Sequence, residues 1–374
     1  MGHILDLPEK ELGVNIREDF KPYFVVIPGR QKILSGLKKE AVDKEKIYVA
    51  TDPDREGEAI GWNIKEKLPK DKKFLYRQNY ELLTNKSGRL FLIAGDQKIE
   101  HLNADFFGPG IDPEDQTPEH LFKIAASAPG AVLALPLGLI ARYGQDYPQV
   151  PYIVKLNGKT NIGVQEKKFS RCFWTVEDIM KLKRQSGLKI VGIGYAVHLG
   201  GVNEGKLLAA AAQAVFEAHQ NGLTAVLWVY PRGQNIKEED VNVIAGASGV
   251  AACLDADFVK VKYPYGLKDK QMAAEKFRQA VKAADRTKVI AVGGKKRPIK
   301  EILADLARQI KISGSAGLAM GRNLHQRSLK EASALTKAIS AIIFKNANAK
   351  EAYAIYSGRK KNAKPARTKF LGLF

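Results

Sequence analysis

The segment DFVKVKYP (257–264) decides the fold, because it has the pattern of a buried strand that carries a lysine. Valines alternate with lysines and the run ends in Tyr-Pro, which is typical of a strand and not of a surface helix. A lysine that points into a sheet interior loses its hydration, and this lowers its pKa from about 10.4. The neutral amine can then form a Schiff base with a carbonyl substrate. Lys260 is therefore a candidate nucleophile, and the alternative is an edge-strand lysine whose ammonium group reaches solvent.

Seven further apolar segments alternate with helical segments along the same part of the chain. The predicted strands are RLFLIAGD (89–96), AVLALPLG (131–138), YIVKLNG (152–158), IVGIGYAVHLG (190–200), AVLWVYPRG (225–233), FVKVKYP (258–264), KVIAVGG (288–294) and GLAMGRN (317–323). The predicted helices include residues 206–222, 269–285, 299–310 and 329–344. Eight such units, with strands that read as continuous apolar runs, predict a (β/α)8 TIM barrel. An open, doubly wound α/β sheet is the alternative.

Polar residues are concentrated at the predicted carboxyl ends of these strands, where barrel enzymes carry their chemistry. They are Asp96, Lys155, Tyr230, Arg232 and Lys260. Strand 7 ends in Gly293-Gly294 and strand 8 in Gly321-Arg322. Glycines let backbone N–H groups approach an anion and arginine adds charge, so these two ends predict a phosphate site.

The composition fits a soluble globular protein of 374 residues, 45% of them hydrophobic. No run of about 18 apolar residues occurs and the N-terminus lacks a signal-peptide pattern, so we expect no membrane partner. Cys172 and Cys253 cannot form a disulfide framework, and this predicts a cytoplasmic location.

The net charge of +20 raises the question of nucleic-acid binding. Residues 1–64 carry 10 basic against 12 acidic side chains, and the tail at 359–374 holds six basic residues and no acid. The remaining excess is spread without a dense block. A phosphorylated small substrate explains it as well as nucleic acid does, so a nucleic-acid partner is not expected.

Six motifs occur in an order that resembles the class I fructose-1,6-bisphosphate aldolases of the archaeal and bacterial type, within the Schiff-base family that includes deoxyribose-phosphate aldolase. They are AGDQKIEHLN (94–103), LGLIARYG (137–144), VKLNGKTN (154–161), LWVYPRG (227–233), DFVKVKYP (257–264) and SGSAGLAMGRN (313–323). The resemblance covers about residues 65–358. It implies a lyase of glycolysis and gluconeogenesis that needs neither a metal nor another cofactor.

The resemblance also assigns catalytic roles position by position. Lys260 is similar to the imine lysine, and Tyr230, beside Trp228, to the acid/base of carbon–carbon cleavage. Asp96 resembles the acid that handles the hydroxyl and carbinolamine protons. Lys262 points to the same face as Lys260 by strand alternation and is the alternative nucleophile.

The remaining predicted site residues bind substrate. His101 resembles a residue near one phosphate of a phosphorylated sugar. The cradle for the other phosphate is predicted at Gly293, Gly294, Gly321 and Arg322. Lys155 and Arg232 complete the predicted substrate site. The histidines are scattered, so no zinc site is expected, and we expect a homo-oligomer assembled through the barrel.

The first 64 residues resemble part of the toprim domain of type IA DNA topoisomerases. The motifs are MGHILDLP (1–8), FVVIPGR (24–30) and IYVATDPDREGEAIGWNI (47–64). The resemblance implies that Asp52, Asp54 and Glu56 are remnants of a Mg²⁺ site at the end of a strand, and the alternative is an acidic turn that caps the next helix. The family's catalytic glutamate would precede Met1, so Mg²⁺ binding is not expected.

The predicted organisation is therefore a truncated toprim-like segment (1–64), a junction and lead-in helix (65–88), a barrel domain (89–358) and a basic tail (359–374). Three functions remain open. The first is fructose-bisphosphate cleavage, the second another Schiff-base lyase or transferase acting on a phosphorylated sugar, and the third a nucleic-acid-binding topoisomerase fragment.

Overall fold

The computed structural model describes residues 3–15, 20–41, 47–67, 72–162, 170–233 and 235–358. The chain divides into two compact units, Met1–Leu75 and Tyr76–Phe374. The predicted basic tail (359–374) and residues 68–71 of the junction lie outside the described residues. The domain boundaries placed at 64, 88 and 358 stay predictions. No helix in the described ranges is long and apolar enough to cross a membrane.

Short antiparallel strand pairs and two helices make up the first unit. The strands are β1 (Leu5–Asp6), β2 (Val14–Asn15), β3 (Lys21–Pro22) and β4 (Val25–Val26), and the helices are α1 (Gln31–Ala41) and α2 (Arg55–Lys67). β1 pairs with β4, and β2 pairs with β3. Ile4, Leu34 and Ile64 form its small buried cluster.

The strand implied before the acidic motif DPDREGE is not formed. Residues 47–50 belong to no strand, and Tyr48 is 85% exposed. A strand needs a neighbour for its backbone N–H and C=O groups, and none of the described segments pairs with this one. The acidic motif instead leads directly into α2.

Eight parallel strands close into a barrel in the second unit, which confirms the predicted fold. In chain order the barrel strands are β5 (Leu90–Ala94), β6 (Ala131–Pro136), β7 (Tyr152–Lys155), β10 (Ile190–Leu199), β11 (Thr224–Pro231), β12 (Phe258–Val261), β13 (Lys288–Val292) and β14 (Gly317–Met320). Two further strands, β8 (Asn157–Gly158) and β9 (Arg171–Cys172), follow β7 and form a separate antiparallel pair. The barrel order is β10-β11-β12-β13-β14-β5-β6-β7, and β7 pairs with β10 to close it. Each barrel strand begins within one residue of its predicted start.

Alternate residues of the barrel strands fill the interior, as the pleat requires. Interior positions include Leu92, Val132, Ile153, Val226, Trp228, Phe258 and Ile290. Gly194 on β10 leaves room for the indole of Trp228, since a Cβ there would lie 2.3 Å from a ring carbon. The barrel is therefore a packed core, and its open chemistry lies at its ends.

Helices either bury the outer faces of the barrel strands or lie at the ends of the barrel. They are α3 (Lys72–Leu83), α4 (Gln97–Glu100), α5 (Glu119–Ser127), α6 (Leu137–Tyr143), α7 (Val176–Ser186), α8 (Glu204–Gln220), α9 (Val241–Cys253), α10 (Lys270–Ala284), α11 (Ile299–Arg308), α12 (Arg322–His325), α13 (Leu329–Lys345) and α14 (Ala349–Tyr356). The four predicted helices are confirmed to within two residues at each end, the usual uncertainty of a helix boundary.

Helix α3 closes the N-terminal end of the barrel. Leu83 is fully buried, and Tyr80 packs on the interior cluster with its ring stacked on Phe258 at 6.1 Å between centroids. The side-chain amide of Asn79 donates to the carbonyl oxygen of Gly222 at 2.7 Å, just before β11. The lead-in helix is therefore part of the barrel core and not a linker.

Replacing Leu83 with alanine should lower the free energy of unfolding of the barrel by about 2–5 kcal/mol, the range for a buried leucine. The matched control is Leu82→Ala, whose residue is 44% exposed, and it should change stability by no more than about 0.5 kcal/mol. Urea unfolding followed by circular dichroism measures both. Equal effects of the two substitutions would contradict the role given to α3.

Candidate active site

Lys260 lies inside the barrel near its C-terminal end. Its residue is only 5% exposed, although the side chain ends in an amine. Nζ lies 5.1 Å from the centroid of the Trp228 ring. Burial lowers the pKa of Lys260 to about 8, the Asp96 carboxylate opposes this, and the ammonium group of Lys155 adds to it. Near neutral pH the amine is thus neutral far more often than that of an ordinary lysine.

A buried ion cluster lies beside this amine and joins β5, α4 and β7. Nζ of Lys155 donates to Oδ2 of Asp96 at 2.8 Å and to the carboxylate of Glu100. Burial alone would raise the pKa of Asp96, yet the ammonium groups of Lys155 and Lys260 hold it below its ordinary value. Burial would lower the pKa of Lys155, but the two carboxylates raise it. Asp96 and Lys155 therefore stay charged inside the barrel.

Tyr230 lies on β11 two positions after Trp228, the residue in register with Lys260 on the neighbouring strand β12. Burial raises the pKa of Tyr230 well above its ordinary value, and the charges of Asp96 and Glu100 raise it further. The phenol is therefore protonated in the resting site. His198 on β10 is in register with Tyr230, and their rings stack at 6.2 Å.

Several buried polar atoms at this end of the barrel have no hydrogen-bond partner within the described part of the chain. They are Nδ1 of His198, Nε1 of Trp228 and Oε1 of Gln97. Burial lowers the pKa of His198 to about 3, helped by nearby cationic side chains, so the ring is neutral. Buried polar groups are normally paired, and these atoms mark a place where a polar ligand or water would bind.

Lys262, the alternative nucleophile, has a different environment from Lys260. Its side chain is 31% exposed, and Nζ lies 3.3 Å from the carboxylate of Glu238. Lys262 thus has a carboxylate partner and access to solvent, whereas Lys260 is buried beside the Trp228 ring. The geometry favours Lys260.

The predicted phosphate cradle lies at the ends of β13 and β14. Gly294 has φ 73°, a conformation that favours glycine. The side-chain amide of Asn323 donates to the carbonyl oxygens of Gly293 and Lys295 at 3.0 and 2.8 Å and so fixes this turn. The N–H of Gly293 donates to Ala319 inside the sheet. It is therefore committed to the barrel, and the cradle rests on Gly294, Gly321 and Arg322.

His101 and Arg322 meet at one carboxylate, Asp105. Nδ1 of His101 is hydrogen-bonded to Oδ2 of Asp105, and Nε of Arg322 lies 3.8 Å from the same oxygen. The sequence reasoning assigned these two residues to different phosphates. The structure instead brings His101 to the same side of the barrel mouth as the cradle.

In the first unit, the acidic residues Asp54 and Glu56 contact other groups of the protein. A carboxylate oxygen of Asp54 accepts a hydrogen bond from the N–H of Gly57 at 2.7 Å, which caps α2. Glu56 lies 3.3 Å from His3. Among the described residues, no three His, Cys, Asp or Glu side chains are grouped as metal ligands would be, Asp52 included. Asp54 therefore caps α2, as the acidic-turn interpretation of DPDREGE predicts, and the expected lack of Mg²⁺ binding at this motif stays a prediction.

Three site residues were missed by the sequence reasoning. Gln97 and Glu100 lie within the quoted motif AGDQKIEHLN, and His198 ends the fourth predicted strand. The sequence feature that could have identified them is their position at or just after the ends of predicted strands. Their partners lie tens of residues away, and only the closed barrel brings them together.

Comparison with known proteins identifies the family of the second unit. Residues 90–327 match the family model described as DeoC/LacD family aldolase. The chain belongs to this aldolase family. A fructose-bisphosphate aldolase/6-deoxy-5-ketofructose 1-phosphate synthase of Methanocaldococcus jannaschii is 48% identical over 295 residues, which are 79% of this chain and 94% of that protein. The predicted resemblance and the enzyme class, an aldolase, are therefore confirmed.

Solved structures of aldolases share the fold. A fructose-bisphosphate aldolase from Slackia heliotrinireducens has a TM-score of 0.75 and 45% identity, covering 79% of this chain and 93% of that one. An archaeal fructose-1,6-bisphosphate aldolase, solved with its catalytic lysine covalently bound to the carbinolamine intermediate, has a TM-score of 0.62 and 27% identity, with 72% and 99% coverage.

The first unit matches a second family. Residues 1–89 match the model of the Toprim domain. Sixty-four residues, 17% of this chain, are 48% identical to DNA topoisomerase 1 of Thermotoga maritima, and they span 10% of that protein. The toprim resemblance is confirmed for this segment.

Replacing Lys155 with methionine should raise the pKa of Lys260, because it removes a nearby ammonium group and leaves the carboxylates of Asp96 and Glu100. If Lys260 is the nucleophile, the rate of imine formation should rise with pH through its pKa of about 8 in the native protein, and in the variant this rise should move to higher pH. Borohydride trapping rates measured between pH 6 and 10 test this. Lys262→Met is the control and should leave the profile in place; an unmoved profile in Lys155→Met would contradict the coupling.

Proposed function

We propose that this chain is a class I aldolase that reversibly cleaves fructose 1,6-bisphosphate into dihydroxyacetone phosphate and glyceraldehyde 3-phosphate through an imine on Lys260. The observation that carries the proposal is a buried amine with a lowered pKa beside an ionised carboxylate and a protonated phenol. The name of the M. jannaschii relative, fructose-bisphosphate aldolase, supports the substrate.

Imine formation begins when the neutral amine of Lys260 adds to the C2 carbonyl carbon of the open-chain ketose. The nitrogen then loses a proton, which the Asp96 carboxylate relays to the new C2 oxygen, and a neutral carbinolamine results. Tyr230 gives its phenolic proton to the carbinolamine hydroxyl, which leaves as water. The products are a protonated imine and a Tyr230 phenolate, whose opposite charges stabilise each other in the barrel interior.

Cleavage follows from these charges. The Tyr230 phenolate takes the proton of the C4 hydroxyl, the C3–C4 bond breaks, and its electron pair moves into the imine to give an enamine. Glyceraldehyde 3-phosphate leaves. Tyr230 then protonates C3 of the enamine, and addition of water to the renewed imine releases dihydroxyacetone phosphate. Lys260 and Tyr230 return to their starting states, so the cycle needs no external acid or electron donor.

The remaining predicted residues bind the substrate in this proposal. Gly294, Gly321 and Arg322 receive one phosphate, with Gly293 shaping the turn and His101 nearby. Trp228 and Lys155 position the carbon chain around Lys260. Arg232 extends beyond Tyr230 toward the other end of the substrate.

The Lys260→Met variant should lose cleavage and should no longer be inactivated by borohydride with dihydroxyacetone phosphate. Peptide mapping of the trapped native protein should find the adduct on Lys260. Lys262→Met is the matched control, one turn of the pleat away, and should still be trapped. An adduct on Lys262, or trapping that survives in Lys260→Met, would refute the assigned nucleophile.

A second candidate is transfer of the same three-carbon unit to another aldehyde. The M. jannaschii relative is also named a 6-deoxy-5-ketofructose 1-phosphate synthase. Breaking that product between C3 and C4 gives dihydroxyacetone phosphate and 2-oxopropanal, so the enamine on Lys260 would attack the aldehyde carbon of 2-oxopropanal. Incubation of fructose 1,6-bisphosphate with 2-oxopropanal, followed by product analysis, tests this activity.

Independence from metals, assembly into a homo-oligomer through the barrel, a cytoplasmic location and a place in glycolysis or gluconeogenesis stay predictions. The solved structure of a related aldolase with a covalent lysine intermediate supports the first of these. The others need measurements on the protein itself.

We propose that the toprim-related unit contributes nothing to aldol cleavage and has no topoisomerase activity. The match spans only 10% of the related topoisomerase, and Asp54 is engaged in capping α2. Nucleic-acid binding, the third function considered from the sequence, is therefore not expected.

Deletion of residues 1–64 should leave kcat/KM for fructose 1,6-bisphosphate unchanged, since all eight barrel strands and α3 remain. The intact protein should not relax or nick supercoiled DNA in the presence of Mg²⁺. An agarose gel assay and a coupled cleavage assay measure the two properties. DNA relaxation, or lost cleavage in a shortened protein that still folds, would show that the first unit is functional.

A further inference from the structure

Two cations lie beside the proposed reacting pair of residues. Arg232 follows Tyr230 by two positions, and its guanidinium carbon lies 5.0 Å from the centroid of the Tyr230 ring. Lys262 follows Lys260 by two positions and comes directly after the neighbouring strand, β12. The pair extends from β11 and β12, whereas the glycine cradle lies on β13 and β14. The mouth of the barrel thus holds a second group of positive charge.

One carboxylate bridges these two cations. Oε1 of Glu238 lies 3.1 Å from Nε of Arg232, and Oε2 lies 3.3 Å from Nζ of Lys262. Each carboxylate oxygen therefore faces one cation, in the manner of a bound oxyanion. The three side chains are each about one-third exposed, so a ligand can reach the group from solvent. Nε of Arg232 itself is buried and has no hydrogen-bond partner among the described residues.

The segment that carries Glu238 is fixed on both sides of it. Glu239 accepts a hydrogen bond from the N–H of Gly266 at 3.0 Å, and Asp240 caps α9 by accepting from the N–H of Asn242 at 2.9 Å. The N–H of Asp240 donates to the carbonyl oxygen of Lys237. The carboxylate of Glu238 is thus presented to the cations by an anchored loop.

We propose that Glu238 is an internal counter-ion for a second phosphate subsite, formed by Arg232 and Lys262, and that it limits the preference for bisphosphorylated over monophosphorylated ketoses. The inference rests on the proposed aldolase function. A phosphate dianion would compete with Glu238 for both cations. When the aldehyde half of the substrate has no phosphate, Glu238 keeps the cations paired, and substrate binding then leaves no unpaired charge.

The test compares Glu238→Gln with the native protein on fructose 1,6-bisphosphate and on fructose 1-phosphate. Neutralising Glu238 should raise the ratio of kcat/KM values, bisphosphate over monophosphate, by about two- to fivefold, the range of a partly exposed charge contact. Glu239→Gln is the matched control, because its amide can still accept from Gly266 and it lies outside the bridge. It should leave the ratio unchanged. An equal change on both substrates, or none, would overturn the proposal.

Binding of inorganic phosphate gives a readout that does not depend on turnover. Calorimetric titration should show tighter phosphate binding in Glu238→Gln than in the native protein or in Glu239→Gln, and the cradle contributes equally to all three. If the native protein cleaves neither ketose and forms no borohydride adduct, the proposed function fails, and this titration alone decides the role of Glu238. Unchanged phosphate affinity in Glu238→Gln would then refute it.

Discussion

The ion cluster of Lys155, Asp96 and Glu100 controls the chemistry of the barrel interior. Burying a single charge is costly, and the buried charges of Asp96 and Lys155 are tolerated because they pair within hydrogen-bond reach, with the half-buried Glu100 as a second partner of Lys155. Lys260 is next to this cluster and has no hydrogen bond to it within the described residues. Burial lowers the pKa of Lys260, the Asp96 carboxylate opposes this, and the ammonium group of Lys155 adds to it. Of the two buried lysines, Lys260 therefore loses its proton more readily than Lys155.

This arrangement depends on closure of the barrel. Asp96 follows β5, Lys155 ends β7, and Lys260 lies on β12, so the three come from strands that are far apart in the sequence. Parallel strands in a closed barrel direct their carboxyl ends to one mouth, and the packed interior keeps water from screening the charges there. Gly194 contributes by making space for Trp228, whose ring lies 5.1 Å from the Lys260 amine and 5.7 Å from that of Lys155.

The sequence predicted the barrel well because each buried strand is a continuous apolar run, and it predicted Lys260, Tyr230 and Asp96 because they lie in motifs at strand ends. It did not reveal Glu100, whose partner Lys155 is 55 residues away, or Glu238, whose partners lie on two strands. A strand before Asp52 was expected from resemblance, but pairing depends on a neighbour that the pattern of one segment cannot supply. The sequence pattern therefore does not show which residues far apart in the chain will contact each other.

Helix α3 also determines the order in which the protein can fold. The hydroxyl of Tyr76 donates to Asp257, 181 residues later in the chain. At about 5–20 residues per second, roughly 10–40 s of synthesis separate the two ends of this contact. During that interval the apolar face of α3 has no barrel to cover it. Non-local contacts of this kind slow folding and expose apolar surface to other chains. The nascent protein therefore has a defined period in which a chaperone that shields α3 would raise the yield of folded enzyme.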